Sequence, residues 1–514
     1  MREKVVLVST VICILLIVWV SIINKSSAKV PIDPDVTIGK LDNGLTYYIR
    51  SNKKPENRAE MLLVVNAGAV LETDEQQGLA HFVEHMAFNG TKNFPKQDLV
   101  DYLESIGMDF GPDLNAYTSF DETVYMLKVP TDDKEKLEKG FQILGDWAHN
   151  LSLDNEEIDK ERGVVIEEWR LRGGAWKRMI DKQLPIILQG SKYADRLPIG
   201  QKAVIDTFKY DTVKSFYNKW YKPELMAIIT VGDFEISSIK DLITRNFSSI
   251  QKSASLTQRP AIPVPDHDET LFAIASDPEA PYSYGSIIFK FDKMKNHGSE
   301  EAFRKGLIFN LYNGMLNNRL DELTKTAAPP FLYVSSRKGS WIKSKQMYTL
   351  EAVVNTNGIP RGIEALLTEA IRVQQHGFTQ TELDRQKTKY LRDLKKQYNE
   401  REKTESEKYK WQYKDHFLEG ESIPSIDYVY TNSQKLLPGI KMDEVNQLSL
   451  ELISNKNRVI TASSPENDDV IIPTEVDLKN VFDKVLSMDI DPYVDSTSDE
   501  PLLASLEPPG KNSG

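Results

Sequence analysis

Cysteine is nearly absent: Cys13 is the single one in 514 residues, and it sits inside an apolar run. Past that run, intrachain disulfides and a thiolate-held metal are excluded, leaving histidine and carboxylates as the strong metal ligands. Ile12 precedes Cys13 where a lipoprotein cysteine would follow a small residue, which speaks against lipidation. Histidine is scarce too, with seven in the chain. Excess positive charge is missing: 64 Lys and Arg face 76 Asp and Glu, for a net charge of −12. That balance argues against a nucleic-acid partner, fits an exported soluble protein, and is compatible with basic peptide substrates.

The start of the chain combines Arg2 and Lys4 with a charge-free stretch over residues 5–23. A basic lead followed by an apolar core predicts an export signal, and Ser26-Ser27-Ala28 offers a small-x-small cleavage site. The apolar stretch is also close to the length of a membrane span, so residues 1–28 read either as a signal peptide or as an uncleaved N-terminal anchor. The rest is too long for one core and predicts two domains of roughly 200 residues or more each.

Residues 37–50 predict a hairpin turning at Asp42-Asn43-Gly44. Residues 61–70 predict a buried strand, 97–106 a helix ended by Gly107, and 115–129 further strand. Amphipathic helices are expected over 133–150 and 155–172, then a core strand at 226–234 and a helix to about 250. Residues 253–268, with Pro260, Pro263 and Pro265, mark a boundary, separating a domain over 35–252 from one over 269–475. The second half repeats the plan: strands at 284–291 and 347–355, a helix over 300–323, and 457–466 echoing the strand near 230. Residues 379–387 echo 153–162. We therefore expect an α+β fold of two homologous domains, each a mostly antiparallel sheet packed with helices. The helix over 303–320 has no histidine, so the second copy lacks the metal motif. The charged stretch 390–420 is expected to be a solvated helix face, and 476–514 a C-terminal extension and linker.

The chemistry concentrates at His81-Phe82-Val83-Glu84-His85. Histidines four apart lie about 40° from one another around a helix, and Glu84 falls within roughly 100° of both. One face thus offers two imidazoles and a carboxylate to a single point, as a catalytic zinc and its water require. The order H-x-x-E-H is the inverzincin signature. A third protein ligand is needed, and Glu161, Glu167 and Glu168 are the candidates. Glu161 and Glu168, seven apart, share a helix face to within about 20°, whereas Glu167 points about 120° away from Glu161. His149, beside Trp147 and Ala148 on an apolar helix, reads as structural.

The run from Glu72 through Gly78-Leu-Ala-His-Phe-Val-Glu-His to Thr91, together with residues 107–125, resembles the pitrilysin-type zinc peptidases, most closely the bacterial periplasmic branch. The resemblance implies a zinc-dependent metalloendopeptidase with one zinc ion per chain. By it, Glu168 is the third ligand beside His81 and His85, Glu161 orients a ligand or the water, and Glu84 is the general base. It further implies that a peptide or unfolded protein adds as a strand to a sheet edge, with Asn115, Ala116, Tyr117 and Thr118 as the contacts. Location follows as the periplasm, free or anchored to the membrane and facing it. Relatives of this branch carry four such domains, the second pair supplying an Arg and a Tyr that cannot be assigned here. The resemblance thus leaves room for a second homologous chain or a homodimer, or for a binding and assembly subunit that needs such a partner for activity.

Overall fold

A computed structural model describes residues 28–495 except 97, 110, 172–173, 254–257 and 295. The signal or anchor at 1–27 and the tail beyond 495 lie outside the described residues. Among the described residues no helix is long and apolar enough to cross a membrane.

Six strands form the first sheet: β1 (Thr37–Lys40), β2 (Thr46–Ser51), β3 (Arg58–Val65), β4 (Leu114–Thr118), β5 (Thr123–Pro130) and β6 (Met226–Gly232). Their order is β1-β2-β6-β3-β5-β4, antiparallel except for β2 against β6. The second sheet uses β7 (Leu271–Asp277), β8 (Ser283–Asp292), β9 (Tyr333–Gly339), β10 (Lys345–Val354) and β11 (Arg458–Pro465) in the order β7-β11-β8-β10-β9. Here too one neighbouring pair is parallel, β7 with β11. With β1 set aside, the two sheets match strand for strand, parallel pair included. This is an α+β fold built twice.

The apolar runs explain which strands are central. Met226-Ala-Ile-Ile-Thr-Val-Gly is buried at every position, so β6 must be covered on both faces. One face carries the helices of the first half, α1 (Leu79–Met86), α2 (Asn155–Leu171) and their neighbours. The strand expected over 61–70 stops at Val65, and 69–71 form a short 3-10 turn. There the chain passes the β4–β5 turn so closely that a Cβ on Gly68 would sit 2.4 Å from the Ser119 carbonyl oxygen.

The other face of the first sheet is covered from the second half. Helix α3 (Ala175–Ile187) follows α2, and in the second half α4 (Glu300–Thr324) is followed by α5 (Gln380–Asn399) and α6 (Ser406–Glu419). The outward face of α5 is charged and solvated, as the composition of 390–420 predicts. Helix α6 departs from that expectation. Tyr413 and Leu418 are buried with Leu62, Val64, Ala227 and Ile229 of the first sheet, and Tyr413 stacks on Tyr48 with ring centroids 5.7 Å apart. The buried Lys410 ammonium donates to Glu60 at 2.6 Å. Fully burying one large apolar side chain contributes about 1.5–3 kcal/mol, and a short charge-balanced helix can supply two or three such residues while its net composition stays polar.

The exchange is reciprocal. Helix α3 of the first half lies on the second sheet, where the buried Gln183 amide donates to Ala273 O, Ala462 O and Ser463 Oγ, each at 3.0 Å. Helix α7 (Glu475–Ser487), which the sequence placed in the C-terminal extension, packs Leu478, Phe482 and Val485 into the second core.

Candidate metal centre

Two helices meet at the site. Helix α1 starts at Gly78, whose φ of 101° suits glycine, and buries Leu79, Ala80, Phe82, Val83 and Met86. Its remaining face, bearing His81 and His85, turns to α2. Helix α2 is capped by Asp154, whose carboxylate accepts from the Glu156 and Glu157 amides. Arg162 fixes its rotation by donating to the Ile205 and Phe208 carbonyls, each at 2.6 Å. Glu161 then points inward and Glu168 lies at the rim, while Glu167 turns outward to pair with Arg170.

The side chains converge as the spacing predicts. Glu168 Oε2 lies 3.2 Å from His85 Nε2 and 3.6 Å from His81 Nε2, and all three ligand atoms lie within 4.8 Å of one another. Ligand atoms around a tetrahedral zinc at its usual bond lengths stand about 3.4 Å apart. The two glutamate–histidine separations therefore match those of a zinc site. His85 Nδ1 and Glu161 Oε1 share a 2.7 Å hydrogen bond, which leaves Nε2 as the nitrogen facing the centre. Asn89 donates to the other Glu161 oxygen. Glu84, also buried, accepts from the Thr118 hydroxyl at 2.7 Å.

Charge points the same way. The ion-pair partners of Glu161 and Glu168 among the described residues are histidines alone. Burial pulls His85 down, but the hydrogen bonds it donates to Glu161 and Glu168 outweigh it and hold the imidazole up at about 10. The hydrogen bond to His85 holds Glu168 down at about 2. Burial lowers His81 to about 4, with His85 adding to the effect. Burial pushes Glu84 up to about 7 against the pull of the Thr118 hydroxyl; a divalent cation beside it would act downward. The pocket wants positive charge between its carboxylates, and the histidines are the groups at hand to meet it.

Of the four residues expected on the peptide, the structure separates two pairs. Strand β4 is the sheet edge beside α1. Lys128 N donates to Asp113 O and Ser119 N to Glu122 O, so by antiparallel alternation Asn115 and Tyr117 direct their backbone groups at β5. Ala116 and Thr118 direct theirs outward, and the Ala116 N–H is met by the Asn115 side chain at 2.9 Å. The Tyr117 ring lies on the opposite face, 6.5 Å from Trp411, so its side chain points away from Glu84.

Sequence reasoning missed two contributors. Asn89 stands one helical step beyond His81 and His85, a spacing that could have flagged it. Glu72 is fully buried, accepts from the Gly78 and Ala80 amides at 3.0 and 2.7 Å, and caps α1 from outside the helix; no periodicity signals it.

Comparison with known proteins agrees with this geometry. Residues 47–186 match the insulinase (peptidase family M16) model, and residues 207–390 match the M16 inactive-domain model. The chain belongs to the M16 peptidase family. Similar M16 proteins include a zinc protease PQQL-like protein of Arabidopsis thaliana, 34% identical over 92% of this chain and 46% of the relative. The probable zinc protease PqqL of Escherichia coli is 28% identical over 93% of this chain and 53% of the relative. The crystal structure of the first half of the periplasmic protease PqqL from Escherichia coli superposes with a TM-score of 0.83 at 26% identity, covering 91% of this chain and 100% of that one. The chain thus spans about half the length of the curated relatives it matches.

Proposed function

We propose that this chain is the metal-bearing half of a zinc metalloendopeptidase of the cell envelope, exported to the periplasm and acting on peptides or small unfolded proteins. The observation that carries the proposal is the convergence of His81 and His85 of α1 with Glu168 of α2, beside Glu84. These three residues would hold one zinc ion per chain. When bound, zinc supplies a Lewis acid that polarises the scissile carbonyl and makes a water acidic near neutral pH. Glu161 holds the His85 ring in the orientation that presents Nε2. Glu84 takes the proton from the attacking water and delivers it to the leaving nitrogen. Thr118 keeps the Glu84 carboxylate aimed. An extended substrate pairs with the outward backbone of Ala116 and Thr118, a mode that tolerates many side chains. The functional units we assign are 35–252, carrying the chemistry, and 269–475, its silent copy, joined through 253–268.

Glu84→Gln tests the reading. With zinc still bound, cleavage of a mixed quenched peptide library should fall by about 10²–10⁴-fold, the usual contribution of a general base. Cleavage that survives the substitution would overturn it.

The presence of two homologous M16 domains in this chain favours a second reading, a binding and assembly subunit whose turnover needs a second homologous chain, or another copy of itself. Zinc-loaded protein inert alone and active once such a chain is added would select that version. No nucleic-acid partner is proposed.

A further inference from the structure

Two glycines far apart in sequence touch behind the site. A Cβ on Gly200 would lie 2.2 Å from Gly78 Cα and 2.6 Å from the Gln77 carbonyl oxygen, and both glycines have positive φ, 75° and 101°. Gly78 is the residue from which α1 starts. On the far side of the crossing, the Trp169 indole N–H donates to the Gly200 carbonyl at 3.3 Å. Trp169 is the residue after Glu168. The same crossing is held from a third direction by the buried Glu72, whose two carboxylate oxygens take the Gly78 and Ala80 amides, and whose own carbonyl accepts from Arg196 Nε at 3.4 Å.

We propose, resting on the zinc reading above, that the Gly78–Gly200 crossing with Trp169 and Glu72 is a positioning clamp that sets the separation of the two ligand-bearing helices. One ligand pair enters from α1 and the third ligand from α2, and these helices have no covalent link shorter than residues 86–155. Their spacing must be held to a fraction of an ångström for three ligand atoms to reach one ion. A crossing without side chains is the closest approach two backbones can make. It leaves one available distance, where packed side chains would allow several. The Trp169 bond ties the Glu168 turn of α2 to the crossing, and Glu72 ties the first turn of α1 to it. None of these residues is among the proposed metal ligands or peptide contacts. They act through His81 and Glu168.

Trp169→Phe is the decisive variant, because it keeps an aromatic six-membered ring at the position and removes the N–H donor. Zinc affinity, read by competition with a chromophoric chelator, should weaken by about tenfold or more, while the melting temperature of the metal-free protein stays within a degree or two of the parent's. Glu72→Gln, which keeps the shape and weakens the cap, should also loosen zinc binding. At saturating zinc both should lower kcat with KM unchanged, since substrate pairing at β4 is untouched. Gly200→Ala should do most harm, and if it does not fold, the other two variants carry the test. Unchanged zinc affinity and kcat in folded Trp169→Phe would overturn the clamp. A parent protein that binds no zinc would instead overturn the function proposed above, so the two failures are told apart.

Discussion

The two halves of this chain set out the same problem and solve it differently. In the first, Glu161 and Glu168 face α1 and meet imidazoles. In the second, Glu369 and Glu382 are buried against α4, where Arg319, 2% exposed, donates to Glu382 at 2.7 and 2.9 Å and to Glu369 at 3.1 Å. Each half thus sets two glutamates against the helix that follows its second matching strand. One neutralises them with a cation built into the chain. The other provides nitrogens and an open rim, so its cation can come from solution. Counting from the helix caps makes the divergence concrete. Seven residues after Asp154 stands Glu161, and seven after Thr379 stands Gln386; fourteen after each stand Glu168 and Asp393. Gln386 lies against Gly314, where a Cβ would come within 2.0 Å of its amide. A side chain at that point would have to push the Gln386 amide aside, and the facing helix carries no histidine, so the second copy offers no imidazole pair.

Removing the built-in cation should give the largest effect on stability. Arg319→Met leaves the buried Glu382 without its counter-charge, while Glu369 keeps Arg372 at 2.9 Å, and should destabilise the protein by about 3–5 kcal/mol. Denaturant titration of the metal-free protein measures it. A loss under about 1 kcal/mol would mean that the carboxylates simply take up protons, and the contrast between the halves would lose its meaning.

The next experiment makes the metal half resemble the silent one. Glu161→Gln installs the residue found seven after the second cap. It should weaken zinc binding by about 10–100-fold, as outer hydrogen-bond partners of metal ligands usually do, with little change in the melting temperature of the metal-free protein. Unchanged affinity would show that Glu161 is incidental to the centre and that the ligands alone distinguish the halves.

The spacing of His81, Glu84 and His85 was legible because a helix converts sequence offsets directly into angles, and apart from the two edge strands β7 and β9 of the second sheet the strands were legible from their apolar runs. The shared face of Glu161 and Glu168 followed from the same arithmetic, whereas their separate roles came from the family resemblance, since nothing local said which helix would face α1. What escaped has one physical cause. Helix α6 reads as solvent-exposed by composition because Lys410 pairs with Glu60, 350 positions away, and Tyr413 finds Tyr48 across the sheet. The Glu72 cap and the Gly78–Gly200 crossing are likewise long-range. Contacts of that kind leave no period in the sequence, so they surface only when the chain is folded. The reciprocal exchange of α3 and α6 has the further consequence that neither half presents a finished surface without the other.

The join between the halves supplies the smallest prediction, and a pH dependence to go with it. Arg178 on α3 donates to both oxygens of Asp277 on β7, at 2.7 and 2.6 Å. The hydrogen bonds from Arg178 hold the Asp277 carboxyl down at about 2, below its ordinary 3.8. A carboxyl that is more acidic folded than unfolded stabilises the protein above its unfolded value and loses that contribution as pH falls toward the folded one. Because the pair is partly open to solvent, we expect under about 1 kcal/mol from it. Asp277→Asn should therefore be slightly less stable than the parent at neutral pH. The gap should narrow by about half by pH 3, following the linkage of protonation to folding. A gap that stays constant across that range would mean the contact acts through shape and neutral hydrogen bonds, and the join would then be a packed seam where charge plays no part.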